Sequence, residues 1–346
     1  MRIAQIAPLH ESVPPKAYGG TERVVSYLTE ELVRRGHDVT LFAAGDSHTR
    51  ATLLPMCPRA LRLIPDCKDP FSYHLLMMEQ VLQRAGLFDL IHFHTDYMHF
   101  PQSRRCATPT LTTLHGRLDV PELQSIYDEF TDMCVISISD AQRAPLPQAR
   151  FVATVHHGLP RGLYTFRPEP GSYFAFLGRI APDKRVDRAI EIAKRLSIPL
   201  KIAARIDRTD KEYYESQIAP LLSHPLIEMV GEIGEAEKND FLGRASALLF
   251  PIDWPEPFGL VMIEAMACGT PVVAMRGGSV PEIIDSGVTG FVADDLEGAI
   301  AAAARAVKLD RRACRAAFER RFSAERMADD YLRIYSQLLE PNEDQH

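Results

Sequence analysis

Residues 247–275 read ALLFPIDWPEPFGLVMIEAMACGTPVVAM, and the fold follows from how that stretch divides. ALLFP and PVVAM at its ends are apolar runs of strand length. LVMIEAMAC between them, Leu260 to Cys268, is apolar on every side and carries a single charge. Strand, buried helix and strand in that order form the repeating unit of a parallel α/β sheet. Outward from this stretch the pattern repeats. YFAFLG, PLKIAA and LIEMV precede it, separated by helical segments over 184–196, near 210–222 and near 236–245. Earlier still, RIAQIA, DVTLFAA, FDLIHFH, PTLTTLH and MCVISIS make a second strand series. A helix over 21–35 follows the first of these; Val24, Leu28 and Leu32 recur on one face, and Gly36 ends it.

Between the two series the chain reads HHGLPRGLYTFRPEPGS, 156–172, where glycines and prolines break any regular element. At 346 residues the chain exceeds the size at which one core keeps growing. Two Rossmann-like α/β domains are therefore expected, 1–157 and 158–322. A final helix over 323–340, with Ser323 as its N-cap and Met327, Tyr331, Ile334, Tyr335 and Leu338 on one apolar face, is expected to pack back toward the first. The tail PNEDQH reads as a frayed end.

The formal charge of −7 argues against a nucleic-acid binder that depends on neutralising phosphates. Six scattered cysteines, with no C-x-x-C pair, read as reduced thiols of a cytoplasmic protein and offer no metal framework. No apolar run is long enough to span a bilayer. The pairs Arg34-Arg35, Arg104-Arg105 and Arg59 with Arg62 read as solvated charges rather than as a membrane patch.

Two carboxylates point to chemistry. Glu264 is the one charge in the apolar run, and a buried carboxylate is costly without hydrogen-bond donors. Glu256 sits between Pro255 and Pro257, which holds it extended just ahead of the helix. Phe258, Gly259 and Leu260 are then expected to form the first helical turn, with unsatisfied N–H groups. Carboxylates beside free amides suit a ligand with hydroxyls and negative charge, and a nucleotide sugar carries both. Three further places on strand-to-helix loops fit such a ligand. Tyr18-Gly19-Gly20-Thr21 puts two glycines at a helix start; FLGRIAPDKR places Arg179 and Lys184 after a strand; Gly277-Gly278 adds another amide-rich corner.

Taken together, YGGTERVV, TLHG, FLGRIAPDKR, PEPFGLVMIEAMACGTPVVA and RGGSVPEIIDSGVTGF resemble, in order and spacing, glycosyltransferase family 4, the retaining enzymes of GT-B architecture. The resemblance covers nearly the whole chain. It implies two Rossmann-like domains facing each other across a donor/acceptor cleft, with a nucleotide-sugar donor held mainly by the second. It assigns the ribose hydroxyls to Glu264, the diphosphate to Arg179 and Lys184, and the sugar ring to Glu256 with the amides of Phe258, Gly259 and Leu260. Gly19 and Gly20 close over the phosphates, and His115 of TLHG lies near the reacting sugar. The implied reaction moves a hexose from a UDP-sugar, or a GDP-sugar, to a hydroxyl acceptor with retention of configuration and without a metal or other cofactor. The departing phosphate takes the acceptor's proton on the same face, without the two-carboxylate arrangement of retaining hydrolases.

Rival readings are open at this point. A phosphorylase or nucleotide-sugar epimerase on the same scaffold would depend on inorganic phosphate or need no acceptor; a non-catalytic sugar-nucleotide sensor could dispense with some of the residues just named. His92 and His94 share a strand face near His99 and Asp96, an arrangement that imitates a metal site, but polar residues lining a cleft are the preferred reading. His10 fits the general base of an inverting enzyme. Leu75, Leu76, Met77, Met78 and Val81 after Phe71 read as a core-facing helix rather than an acceptor contact. The chain departs from the family pattern at His157-Gly158, at Arg205-Ile206-Asp207 and at Arg185, where asparagine before the glycine, glycine, and glycine respectively are common.

Overall fold

The computed structural model describes residues 1–16, 19–65 and 67–340. Tyr18 of the first glycine motif and the PNEDQH tail lie outside the described residues. The chain divides into two compact units, Met1–Pro160 together with the segment from Ala324, and Arg161–Ser323.

The N-terminal unit is built on seven parallel strands: β1 (Arg2–Ile6), β2 (Asp38–Ala44), β3 (Thr52–Cys57), β4 (Leu90–Phe93), β5 (Thr110–Thr113), β6 (Val135–Ser137) and β7 (Phe151–Thr154). Their order is β3-β2-β1-β4-β5-β6-β7. The winding reverses beside β1, which pairs with β2 on one edge and β4 on the other. In such sheets the carboxyl ends of the strands at the reversal form the natural binding crevice. The first helix spans Gly20–Arg34 rather than beginning at Thr21, so Gly20 is its first residue, and Gly36 follows in a left-handed conformation. Val24, Leu28 and Leu32 are buried, as their spacing predicts.

The helix Ala324–Leu339 belongs to this unit. Met327, Tyr331 and Tyr335 are fully buried, and Arg35 of the first helix donates to the Glu325 carbonyl at 2.8 Å and pairs with Asp329. The helix Pro70–Gln83 corrects the expectation for the apolar segment. His74, Met77, Met78 and Val81 enter the core, but Phe71, Leu75 and Leu76 are exposed by half or more. At a helical period Leu75 and Leu76 turn away from the core face, while Phe71 lies in the first turn.

The second unit carries six parallel strands: β8 (Tyr173–Arg179), β9 (Leu200–Arg205), β10 (Ile227–Gly231), β11 (Ala245–Phe250), β12 (Val272–Met275) and β13 (Gly290–Ala293), in the order β10-β9-β8-β11-β12-β13. The reversal here lies beside β8, between β9 and β11. One core of this unit is aliphatic and aromatic, with Phe174, Ile190, Ile202, Leu249 and Val273 among its members. The segment after β9 is an irregular helical run over 208–223 that passes through 3-10, α and π geometry, not one regular helix. Among the described residues no helix is long and apolar enough to cross a membrane.

Candidate active site

The loops after β8 and β11 bring Lys184 and Glu256 together. Arg179 closes β8, Lys184 lies in the following loop, and Glu256 lies between β11 and the helix Leu260–Ala267. Lys184 Nζ donates to Glu256 Oε2 at 2.6 Å, and the Trp254 indole N–H donates to the same oxygen at 3.0 Å. The ammonium also lies 4.3 Å from the Trp254 ring centroid, a cation–π distance. Trp254, the single tryptophan of the chain, was not selected from the sequence; its place two residues before the Pro-bracketed glutamate was the available signal.

The helix begins at Leu260, not at Phe258. Gly259 is its N-cap and takes a left-handed conformation, φ 80°, so Phe258 and Gly259 lie ahead of the first turn. A side chain at 259 would meet the Met262 methyl at 2.7 Å and the Glu256 chain at 3.4 Å. The glycine therefore folds the loop back over Glu256. The N–H groups of Gly259 and Leu260 have no partner among the described residues, as the start of a helix dictates.

Gly277-Gly278 does something other than present amides. A Cβ at 277 would lie 2.6 Å from the Trp254 carbonyl, and one at 278 would lie 2.2 Å from that of Glu256. The two glycines let one loop backbone close on the other, and Ser279 N–H seals the contact by donating to Glu256 O at 2.9 Å. The pair positions the Trp254–Glu256 segment from behind.

Glu264 is 2% exposed, and the donor its burial demands is Lys238, Nζ at 2.8 Å. Lys238 comes from the helix Glu235–Gly243 and leans also toward Glu235 at 3.7 Å. No periodicity marked it, because one lysine in a polar helix reads as solvated. Burial, aided by the negative charge of Glu264, pushes the neighbouring Cys268 thiol up to about 12.

Arg179 faces three carboxylates, Asp183 at 3.5 Å, Asp210 at 3.5 Å and Asp207 at 3.6 Å, while Arg205 pairs with Asp207 at 2.8 Å. Arg205-Ile206-Asp207 thus forms part of the ionic surroundings of Arg179. Arg185 adopts a left-handed conformation, φ 51°, and its guanidinium spans Asp187 and Asp253, each at 2.8 Å.

In the N-terminal unit, Gly19 has φ 153°, and a Cβ there would sit 2.8 Å from Pro15. His115 follows β5. Its Nε2 is 2.9 Å from His94 Nδ1, and its ring stacks on that of His157 with centroids 5.3 Å apart. His92 and His94 do not line an open surface. Both are buried; His92 packs against the rings of Tyr331 and Tyr335 and lies between the Tyr335 hydroxyl at 2.7 Å and Thr113 Oγ1 at 2.8 Å. His99 is bound by Ser103 and Thr112. Burial lowers the pKa of all of these histidines, His99 and His115 to about 3. Each of His92, His94 and His99 has both ring nitrogens engaged, and among the described residues no group of His, Cys, Asp or Glu is arranged to hold a metal ion. His10 is exposed and packs against His74, with ring centroids 5.0 Å apart. Of the arginine pairs, Arg34 and Arg35 are ion-paired to Glu31, Arg104 to Glu129 and Asp132, and Arg62 to Glu11.

Comparison with known proteins matches residues 18–142 to the family described as Glycosyltransferase Family 4 and residues 165–321 to that described as Glycosyl transferases group 1. The chain is 26% identical over 349 residues to the glycogen synthase of Mycobacterium tuberculosis, spanning 85% of this chain and 83% of that protein. Its structure matches that of a glycosyltransferase involved in avilamycin A biosynthesis with a TM-score of 0.77 at 22% identity, over 99% and 98% of the two chains. It also matches Anabaena HepE, solved in complex with UDP, with a TM-score of 0.76 at 18% identity over 97% and 100%. These likenesses establish that the chain shares their fold.

Proposed function

We propose that this chain, a family 4 glycosyltransferase whose second half matches the group 1 glycosyl transferases, is a retaining enzyme of GT-B fold that moves a hexose from a nucleotide diphosphate sugar to a hydroxyl acceptor. A UDP-sugar is the favoured donor, with a GDP-sugar second; HepE, of the same fold, has been solved with UDP and with UDP-glucose. The observation that carries the reading is the convergence of Lys184, Trp254 and Glu256 at the β8/β11 reversal, with Glu264 buried one helix turn beyond.

In the proposed reaction Lys184 and Arg179 take the diphosphate, whose growing charge at bond cleavage is the main thing to be stabilised. Their two positive charges supply that role, so the proposal includes no metal. Glu256, with the amides of Phe258, Gly259 and Leu260, binds the sugar ring. Glu264, hydrogen-bonded by Lys238, accepts hydrogen bonds from the ribose hydroxyls. From the N-terminal unit, Gly19 and Gly20 meet the phosphates and His115 meets the sugar. The leaving phosphate oxygen accepts the acceptor's proton as the new glycosidic bond forms on the same face, so configuration is retained.

The test is calorimetric titration of UDP, GDP and ADP with a chelator present, on the wild type and on Glu264→Ala. UDP binding that weakens at least tenfold in the variant supports the donor site, on the scale of a charge-assisted hydrogen bond, roughly 1.5–3 kcal/mol. Binding of none of the three, or equal binding by both proteins, refutes it.

A further inference from the structure

His115 ends a buried chain of polar side chains, and the chemistry of each link fixes the direction of the hydrogen bonds. Gln5 on β1 is fully buried, and its amide nitrogen lies 3.2 Å from the Tyr335 hydroxyl. Its oxygen lies 2.8 Å from His94 Nε2. An amide oxygen only accepts, so His94 carries its proton on Nε2. Burial among other histidines keeps His94 neutral, which leaves a lone pair on Nδ1. That lone pair faces His115 Nε2 at 2.9 Å, so the proton of His115 is on Nε2. Burial keeps His115 neutral as well, and its Nδ1 therefore bears a lone pair. This atom is itself buried and has no partner among the described residues.

The other end of the chain agrees. Tyr335 accepts from Gln5 and donates to His92 Nδ1 at 2.7 Å, and His92 Nε2 then donates to Thr113 Oγ1 at 2.8 Å. Every donor meets an acceptor until His115 Nδ1 is reached. The loop is pinned at the same point: the Gln142 amide donates to the carbonyls of Leu114 at 2.9 Å and Gly116 at 2.8 Å, on either side of the histidine.

We infer that Gln5 and His94 are positioning residues that lock His115 in its Nε2–H form, so that Nδ1 is presented as a hydrogen-bond acceptor for a hydroxyl of the donor sugar. The second half of this inference rests on the proposed reading of His115 as a group beside the reacting sugar. The lock itself needs no substrate. It matters because a histidine free to exchange tautomers would spend part of its time offering an N–H where the proposed contact needs an acceptor.

The test uses the full-length protein labelled with 15N in histidine, with long-range proton–nitrogen correlation spectra that report which ring nitrogen is protonated. His115→Asn serves only to assign the His115 signals. The expected wild-type result is a protonated Nε2 and a bare Nδ1 on both His94 and His115. Gln5→Leu and His94→Leu should turn His115 into a mixture of the two forms. His94→Asn, whose side-chain oxygen sits near the former Nδ1, should restore the single form. Release of UDP from UDP-glucose should slow roughly tenfold in kcat in both leucine variants, the worth of one hydrogen bond, with KM moved less than twofold and the asparagine variant near wild type.

A proton on Nδ1 of wild-type His115, or a His115 form that neither leucine variant moves, overturns the lock. If the leucine variants do not fold, the wild-type and His94→Asn spectra decide. A shifted form with unchanged kcat overturns the contact with the sugar. If the wild type neither binds UDP nor releases it, the donor reading has failed, and the spectra still decide the lock.

Discussion

Lowering the pH from 7.5 to 5.5 should loosen the N-terminal unit and leave the C-terminal unit nearly untouched. His92, His94, His99 and His157 are each at most 4% exposed, and burial holds their pKa values far below the unfolded 6.5, at about 3 for His99. The sign follows from proton binding. Their folded pKa values are depressed, so below pH 6.5 the unfolded chain binds protons that the folded unit refuses, and stability falls as pH falls. Each such histidine should lose about 1.4 kcal/mol across the window, and four together about 5.5 kcal/mol. A domain's whole stability is about 5–15 kcal/mol. His74, also buried with a lowered pKa, adds to the loss, and the raised pKa of buried Glu22 works against it, so the two partly offset.

The C-terminal unit provides the internal control, since residues 161–323 contain one histidine, His224. Native-state hydrogen exchange, corrected for the intrinsic pH dependence of exchange, reads both units in one sample. Peptides covering β1, β4 and β5 should lose several kcal/mol of protection at pH 5.5, while β8, β11 and β12 lose less than about 1 kcal/mol. A loss in the N-terminal unit no larger than one histidine's share, or an equal loss in both units, would refute the argument from burial.

The remaining predictions concern the second unit. Lys184→Ala should cost roughly a hundredfold or more in kcat, as removal of a charge on the leaving group does, while moving Tm by only a few degrees; unchanged turnover in a normally melting variant removes Lys184 from the mechanism. Lys238→Met should cost about 3 kcal/mol, read by urea unfolding through Trp254 fluorescence, because it strands a carboxylate that is 2% exposed; a loss below about 1 kcal/mol contradicts the pairing. Gly278→Ala should displace Glu256, whose carbonyl lies 2.2 Å from the added carbon, and weaken nucleotide binding tenfold or more. Gly287→Ala, with a similar backbone strain at φ 81° but open space, should cost only about 1 kcal/mol and leave binding intact.

Much of the fold was legible because parallel strands announce themselves. Runs such as ALLFP and PVVAM are buried on both faces and read as continuous apolar segments, and the helices between them carry a 3.6-residue period. The segment over 208–223 was legible only as helical: Pro220 and the sequence around it shape its geometry through packing that periodicity does not encode. The carboxylates of the site stood out because each breaks a local rule, Glu264 by its apolar surroundings and Glu256 by its flanking prolines. Their partners did not. Lys238 and Trp254 obey ordinary surface patterns, and only the tertiary fold brings Lys238 to Glu264 from 26 positions away. The helix starts two residues later than the Pro255–Leu260 sequence implies because Gly259 caps it in a left-handed conformation, which a glycine permits without announcing.

Arg185 shows why a departure from a family pattern carries physical information. The position commonly held by glycine is here in left-handed backbone, φ 51°, the region that glycine enters freely and a branched-out side chain enters at a cost of about 1–2 kcal/mol. That cost coincides with ion pairs that glycine could not make, to Asp187 and to Asp253, and Asp253 N–H in turn donates to the Asp183 carbonyl at 2.8 Å. Asp183 is also a partner of Arg179. The guanidinium of Arg185 therefore braces the loop between β8 and the next helix against the loop that carries Trp254 and Glu256. Lys184 is its immediate neighbour, so the brace fixes the backbone from which the ammonium reaches Glu256 Oε2. In the proposed reaction a lysine already held in place needs little ordering when the diphosphate arrives, and the strain at Arg185 is offset where it contributes to that preorganisation.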